Sequence, residues 1–176
     1  MASVEQARDI LITYGGERRT GVETTPLSLA HGRRLAAPVH ARVFQPPADV
    51  SAMDGYAVRF ADMAEGASLR VIGESRAGVP WDGPGVGPGE AVRIFTGAHV
   101  PPHADHILIQ EDTSREGDTV PVTDRQSAPS SIRRRGLDFA AGDELVPAGH
   151  IVTPGALALI AAGNVGEVSV HRRPRV

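Results

Sequence analysis

Residues 90–111, EAVRIFTGAHVPPHADHILIQE, carry the pattern that decides the fold. Two short apolar runs, EAVRIF and HILIQE, flank a stretch that contains a glycine and two consecutive prolines. Short apolar runs bounded by Gly and Pro are typical of strands joined by tight connections. Similar short apolar runs lie on either side of this stretch, in YAVRF (56–60), SLRVIGE (68–74) and TVPVT (119–123). Strands spaced about ten residues apart predict a small barrel or a coiled sheet.

The N-terminal residues have a helical pattern. In VEQARDILIT (4–13) the apolar residues recur at helical spacing, which predicts an amphipathic helix. The pair Gly15-Gly16 follows as a stop signal. An alternating run, VHARV (39–43), then predicts a strand before the β-rich region begins.

Two Thr-Pro pairs predict further helix starts, because Thr is favoured as N-cap and Pro at the first helical position. Thr25-Pro26 predicts a second helix, which we expect to end at Pro38. Thr153-Pro154 predicts a third helix, for which Gly163 lies at the expected C′ position. A strand-like tail, GEVSVHRRPRV (166–176), follows.

The composition excludes several classes of function. Of the 176 residues 41% are hydrophobic and 22% charged, as in ordinary soluble globular proteins. A sequence pI near 6.1 argues against a nucleic-acid-binding domain. The chain has no cysteine, so disulfides and thiolate metal sites are impossible. Neither a signal peptide nor an apolar run of roughly 18 residues is present, so we expect a cytoplasmic protein that does not enter a membrane.

The first segment that carries chemistry is DVSAMDGYAV (49–58). Asp54-Gly55 is a turn dipeptide with small neighbours, so the turn presents a carboxylate with little steric cover. Such an aspartate suits a metal ion or a polar ligand. Spacing alone favours an ordinary turn whose aspartate binds its own backbone.

The second segment is RIFTGA (93–98), a strand that runs into Thr96-Gly97. This loop could offer N–H groups and a hydroxyl to an anion, as a small nest does. After it, His99, His103 and His106 imitate helical metal-ligand spacing, but two intervening prolines forbid the helix. We therefore expect solvated loop histidines.

The third segment is SIRRRGLDFAAG (131–142), in which three arginines precede Asp138. Arginine binds phosphate-like oxyanions through its forked geometry. Without other information a run of this kind is more often a solvated surface loop. The glycine-rich stretch 77–90 lacks the Gly-Lys-Ser/Thr ending of a phosphate-binding loop, so a nucleotide site is not expected there.

Taken in order, SAMDGYAV, RIFTGAHVPPHAD, IRRRGLDFAAG and LVPAGHIVTP resemble the molybdopterin molybdenumtransferase family. The resemblance covers nearly the whole chain and implies a mainly β fold with a few helices, in the α+β class, with complex coiled or bifurcated sheets. Residues 1–45 and 139–176 would form an elongated, discontinuous dimerisation domain. Residues 46–138 would form an inserted, β-rich, barrel-like domain. The family's pterin-binding and C-terminal domains have no counterpart in these 176 residues.

The resemblance also implies a reaction. The family inserts molybdate into adenylylated molybdopterin and releases AMP, with a divalent cation and as a homodimer. By position, the catalytic residues would be Asp54, Thr96 and Asp138. Substrate or oxyanion contacts would come from Arg133 and Arg134, with Ser51 and Gly97 supporting their loops and Arg135 less directly implicated. The cation we expect is Mg²⁺, because the candidate ligands are oxygens; which residues bind it stays open.

Two positions depart from the family pattern. Leu137 stands where the family commonly has an acid, and His103 stands where it usually has glycine. The first removes a second carboxylate beside Asp138, and the second could alter its loop. An alternative function within the same family is a non-catalytic module for self-association or scaffolding.

Overall fold

The computed structural model describes residues 3–17, 20–123 and 128–174. Its α-helices are α1 (Val4–Glu17) and α2 (Pro154–Ala162). Its strands are β1 (Val22–Pro26), β2 (Val39–His40), β3 (Val50–Ser51), β4 (Gly55–Val58), β5 (Ser68–Ser75), β6 (Glu90–Ile94), β7 (His106–Ile109), β8 (Thr119–Pro121), β9 (Ile132–Arg133), β10 (Glu144–Val146) and β11 (Glu167–His171). Short 3-10 turns occupy Leu27–Leu29, Phe60–Asp62 and Gln110–Asp112. The predicted fold class, mainly β with a few helices, is confirmed.

The chain divides into two compact units. One consists of Met1–Val43 and Ala141–Val176, and the other of Phe44–Ala140. The first unit is therefore discontinuous in sequence, and the second is inserted into it.

A curled five-stranded sheet, a half-barrel, dominates the inserted unit. Its strand order is β7-β4-β6-β5-β8, and every pairing is antiparallel except the parallel pair of β5 and β6. Strand β4 lies between β6 and β7, and all four of its residues are buried. One core cluster of this unit contains Tyr56, Val58, Met63, Leu69, Ala91, Leu108, Val120 and Val122. The central position of β4 fixes the turn that precedes it.

The discontinuous unit is built from strand pairs and α2. Strand β1 pairs antiparallel with β11, and β10 pairs antiparallel with β2. Its core joins residues from both ends of the chain: Ala30, Leu35, Val39, Val146, Val152, Ala156, Ile160, Val165, Val168 and Val170. Because neither end supplies a full core, each depends on the other for burial.

Helix α2 begins as predicted. The Thr153 hydroxyl accepts a hydrogen bond from Ala156 N at 3.2 Å, and Pro154 occupies the first turn. The predicted role of Gly163 as a left-handed C′ residue is wrong, because its φ is −73°. Asn164 takes that conformation instead, with φ 58°. Gly163 is required for space, since a Cβ there would lie 2.3 Å from Leu145 Cδ1.

The helix predicted from Thr25 to Pro38 is wrong. Thr25 lies inside β1, is buried, and pairs with Val168 of β11. The β-branched side chain suits a buried strand position, and this packing overrides the Thr-Pro capping signal. The strand predicted over 39–43 is shorter than expected, because the backbone N–H of Arg42 turns to donate to Gly163 O at 2.8 Å.

Helix α1 is present but passes through its predicted stop at Gly15-Gly16. Several of its large apolar side chains are exposed: Val4, Ile10, Leu11, Ile12 and Tyr14. The amphipathic helix therefore buries no apolar face within the described residues. No helix in the described part of the chain is long and apolar enough to cross a bilayer.

Candidate functional site

The Asp54 turn is fixed by its neighbours on both sides. Before it, the buried Ser51 hydroxyl donates to Met53 O at 2.6 Å and accepts from Met53 N at 3.3 Å, so it curls the backbone back on itself. After it, Gly55 packs so closely on β7 that a Cβ would lie 2.1 Å from Leu108 O. Only glycine fits there. The turn dipeptide predicted from sequence is thus imposed by strand packing as well as by local conformation.

Asp54 and Thr96 form a single unit. One carboxylate oxygen, Asp54 Oδ1, accepts both the Thr96 backbone N–H and the Thr96 hydroxyl, each at 2.8 Å. Gly97 follows with φ 81°, a conformation that glycine adopts without strain, and its N–H donates to Ser51 O at 2.9 Å. The other oxygen, Oδ2, accepts no hydrogen bond from the described residues.

The Thr96 hydrogen bonds also keep Asp54 ionised. The Thr96 N–H, and then its hydroxyl, hold the pKa of the Asp54 carboxyl below its ordinary value; burial opposes them, and the more weakly acting Arg93 charge adds to the lowering. The Asp54 carboxylate thus accepts the Thr96 N–H and hydroxyl, which we expected to bind an external anion. The pair therefore presents negative charge and suits a cation.

The arginine segment lies beside the same turn in the fold. Strand β9 pairs with β3, so Arg133 is opposite Val50 and Ile132 is opposite Ser51. Arg133 Nη2 donates to both oxygens of Asp138, at 2.8 and 2.9 Å. These two predicted site residues are thus one ion pair. Leu137, between them in sequence, is 60% exposed and supplies no second carboxylate.

The other two arginines are held by residues outside the predicted set. Arg134 Nη1 donates to Asp49 Oδ2 at 2.7 Å, and Arg135 N donates to Asp49 Oδ1 at 2.8 Å. The Arg135 guanidinium lies 3.7 Å from the centre of the Phe44 ring. Burial alone would raise the pKa of the Asp49 carboxyl, but these hydrogen bonds outweigh it and hold the pKa below its ordinary value.

The three spaced histidines do not form a metal site. His99 and His103 are exposed, as expected for loop histidines, whereas His106 is fully buried at the start of β7. His103 has φ 69°, a conformation that the family's usual glycine adopts without strain. Among the described residues, no group of three or more His, Cys, Asp or Glu side chains could hold a metal ion. Glu111, in the turn after β7, is exposed.

The sequence analysis missed three residues at the site: Arg93, Gln110 and Asp49. Arg93 donates to Gly55 O and to the Gln110 side chain, and Gln110 N donates to Asp54 O at 3.1 Å. A strand pattern shows only that a charged residue faces outward, not which backbone carbonyl it binds. Asp49 could have been noticed as a second acid within the Asp54 motif.

Comparison with known proteins is consistent across sequence and structure. Residues 2–163 match the family model described as the MoeA N-terminal region, domains I and II. The molybdopterin molybdenumtransferase of Nostoc sp. is 37% identical over 88% of this chain and 36% of its own length. That of Haemophilus influenzae is 35% identical over 89% of this chain and 39% of its own length. The chain therefore spans less than two fifths of these relatives.

A solved structure gives the same result. The molybdopterin biosynthesis MoeA protein from Pyrococcus horikoshii OT3 superposes with a TM-score of 0.81 and is 33% identical, covering 88% of this chain and 42% of that one. Sequence, family model and fold agree over most of the residues described above. The chain belongs to the MoeA N-terminal region family, whose relatives are molybdopterin molybdenumtransferases of molybdenum cofactor biosynthesis.

Proposed function

We propose that this chain is the N-terminal part of a cytoplasmic enzyme that inserts molybdate into adenylylated molybdopterin and releases AMP. The observation that carries the proposal is the Asp54–Thr96 pair, an ionised and partly exposed carboxylate with one free oxygen. Because the chain covers less than two fifths of its relatives, the pterin substrate would be bound by residues beyond this chain. The present residues would complete that site.

Mg²⁺ fits this arrangement as a cation that this chain and the substrate would bind together. When bound, it would neutralise phosphate and molybdate charge. Mg²⁺ is usually held by one or two carboxylates together with substrate phosphates and water, so a single carboxylate from this chain is sufficient. Asp54 supplies that carboxylate, and Thr96 orients it. Arg133 and Arg134 would meet an oxyanion, and Asp138 would orient Arg133 through the two-oxygen contact.

The test uses the natural full-length protein with Asp54→Asn and Asp54→Ala. We expect either change to lower molybdenum insertion and AMP release by at least about a hundredfold, since it removes the ionised ligand. The melting temperature of Asp54→Asn should stay close to that of the unchanged protein, because the amide oxygen can still accept the Thr96 hydrogen bonds, whereas Asp54→Ala loses both and should lower stability by about 1 kcal/mol. Full activity in Asp54→Ala would exclude this role, and wild-type protein without AMP release would exclude the function.

Self-association is a second property that a specific observation favours. The apolar side chains of α1 are exposed, and such patches on soluble proteins mark interaction sites. We propose that the protein is a homodimer in which α1 is covered. Light scattering after size-exclusion chromatography of wild-type and Leu11→Glu protein tests this, with the variant expected as monomer. A dimer without enzymatic activity would instead support the scaffold alternative.

A further inference from the structure

Arg93 connects the two backbone segments that carry the Asp54 turn. It lies on β6, next to β4, and its Nη1 donates to Gly55 O at 2.8 Å. Its Nη2 donates to Gln110 Oε1 at 2.5 Å, just after β7. Gly55 directly follows Asp54, and the Gln110 backbone N–H donates to Asp54 O at 3.1 Å. One guanidinium therefore fixes both sides of the turn.

Two aromatic rings hold this guanidinium in place. Its central carbon is 4.6 Å from the centre of the Phe95 ring and 5.1 Å from that of Tyr56. Cations above aromatic faces are attracted by the ring quadrupole. Both hydrogen-bond acceptors are neutral, and no carboxylate of the described residues forms an ion pair with Arg93. Its charge is thus fixed beside Asp54 without being neutralised by direct pairing.

We propose that Arg93 is the positioning residue of Asp54: its fork holds the turn that presents the carboxylate. The inference rests on the proposed function of Asp54. Arg93 does not itself contact substrate. Lysine could replace its charge but not its planar fork, because an ammonium group cannot hold both acceptors in the same geometry.

A purely structural role makes a different prediction. If Arg93 only joined β4 to β7, its loss would lower the melting temperature and speed amide hydrogen exchange across the whole sheet. If it positions the turn, its loss should speed exchange chiefly at the two amides that bind Asp54, those of Gln110 and Thr96. The other amides of the sheet should stay protected, and kcat should fall while the melting temperature changes little.

The experiment compares Arg93→Gln, Arg93→Lys and the control Arg70→Gln. Arg70 is an exposed arginine on β5 of the same sheet, paired with Glu90 and not with the Asp54 turn. Two quantities are measured: amide hydrogen exchange by NMR in the 176-residue chain, and kcat for AMP release by the full-length protein. Melting temperatures are recorded for every variant.

For Arg93→Gln we expect faster exchange at the Gln110 and Thr96 amides, and a kcat lower by at least about tenfold, as for a displaced catalytic group. Arg93→Lys should show the same two changes, because it keeps the charge and loses the fork. Arg70→Gln should change neither quantity. Exchange at Gln110 and Thr96 that is the same in wild type and in both Arg93 variants would overturn the inference.

The two proposals fail separately. If the full-length protein releases no AMP, the proposed function is wrong, whereas hydrogen exchange still decides whether Arg93 holds the Asp54 turn. If Arg93→Gln does not fold, Arg93→Lys keeps the test open: wild-type exchange with wild-type kcat would show that the fork is not needed.

Discussion

His106 is a fully buried titratable side chain at the first residue of β7. Its Nδ1 accepts the Ser130 N–H at 3.0 Å, so the neutral ring carries its proton on Nε2, which has no partner among the described residues. The Phe60 ring packs against it edge-on at 5.5 Å. Burial lowers the pKa of His106, and the nearby charge of Asp105 only partly opposes this.

This burial predicts a loss of stability below neutral pH. The ordinary pKa of histidine is 6.5, and the pKa of His106 in the folded state lies below this value. Between the two values the unfolded chain binds the proton and the folded chain does not, so acid favours unfolding. The part of the free energy of unfolding that depends on His106 is therefore highest above about pH 6.5. It falls as the pH drops, by at most about 1.4 kcal/mol per pH unit.

Urea unfolding at pH 7.5, 6.5 and 5.5 measures the effect. His106→Asn keeps an acceptor for the Ser130 N–H but cannot titrate, so its free energy of unfolding should fall less than that of wild type over this range. His103→Asn is the matched control, because His103 is exposed and asparagine tolerates its positive φ. Equal slopes in wild type and His106→Asn would contradict the assignment.

The candidate site was predicted residue by residue but not as a network. Sequence reasoning singled out Asp54 and Thr96, yet it assigned the Thr96 donors to an external anion. They bind Asp54, because the strand pairing of β4 with β6 brings the ends of these strands together. Such pairing is non-local, and one sequence contains no direct record of it. The role of Arg93 could not be predicted for the same reason, because the carbonyl that accepts its hydrogen bond belongs to another strand.

At the scale of elements, α2 shows how a capped helix is specified. Thr153 caps its N-terminus, and Asn164 closes its C-terminus in a left-handed conformation. The Val165 N–H bonds to Ile160 O at 3.2 Å, and the Asn164 N–H to Ala161 O at 2.9 Å. These two bonds form a Schellman motif with asparagine in place of the expected glycine.

The N-cap of α2 gives a prediction about stability. Thr153→Ala removes the acceptor of the Ala156 N–H and should lower the free energy of unfolding by about 1 kcal/mol. Thr153→Ser keeps the hydroxyl and should change stability far less. Chemical denaturation of both variants measures the difference. An alanine variant as stable as the serine variant would show that the cap contributes nothing.

The two Thr-Pro pairs show why local signals predict some elements and not others. Thr153-Pro154 precedes residues with helical apolar spacing, and the helix forms. Thr25-Pro26 has the same local signal but belongs to β1, because pairing with β11 buries Thr25. The partner strand lies at the other end of the chain, beyond the reach of any local pattern. Capping propensity is worth about 1 kcal/mol, which the burial of Thr25, Val168 and Val170 in the paired strands exceeds.

At the scale of the whole molecule, the chain crosses twice from one unit to the other. In each unit, the two segments next to the crossing points are hydrogen-bonded to each other. In the inserted unit the Gln45 N–H donates to Phe139 O at 2.9 Å. In the discontinuous unit the Gly142 N–H donates to Ala41 O at 2.8 Å. Both ends of the inserted unit therefore lie together, as is usual for domains that tolerate insertion or excision.

This geometry predicts that residues 44–140 fold when they are expressed alone. The unit has its own five-stranded sheet, and the core beneath that sheet is drawn wholly from within this range. The excised unit should unfold cooperatively in urea and give a dispersed amide NMR spectrum. The matched control is the same excised unit with Gly55→Ala, in which the new Cβ would clash with Leu108 O across β4 and β7. Because backbone rather than a flexible side chain occupies that space, the clash should abolish the cooperative transition or sharply lower its midpoint. A wild-type unit that unfolds without a transition would show that the inserted sheet needs residues outside 44–140 to fold.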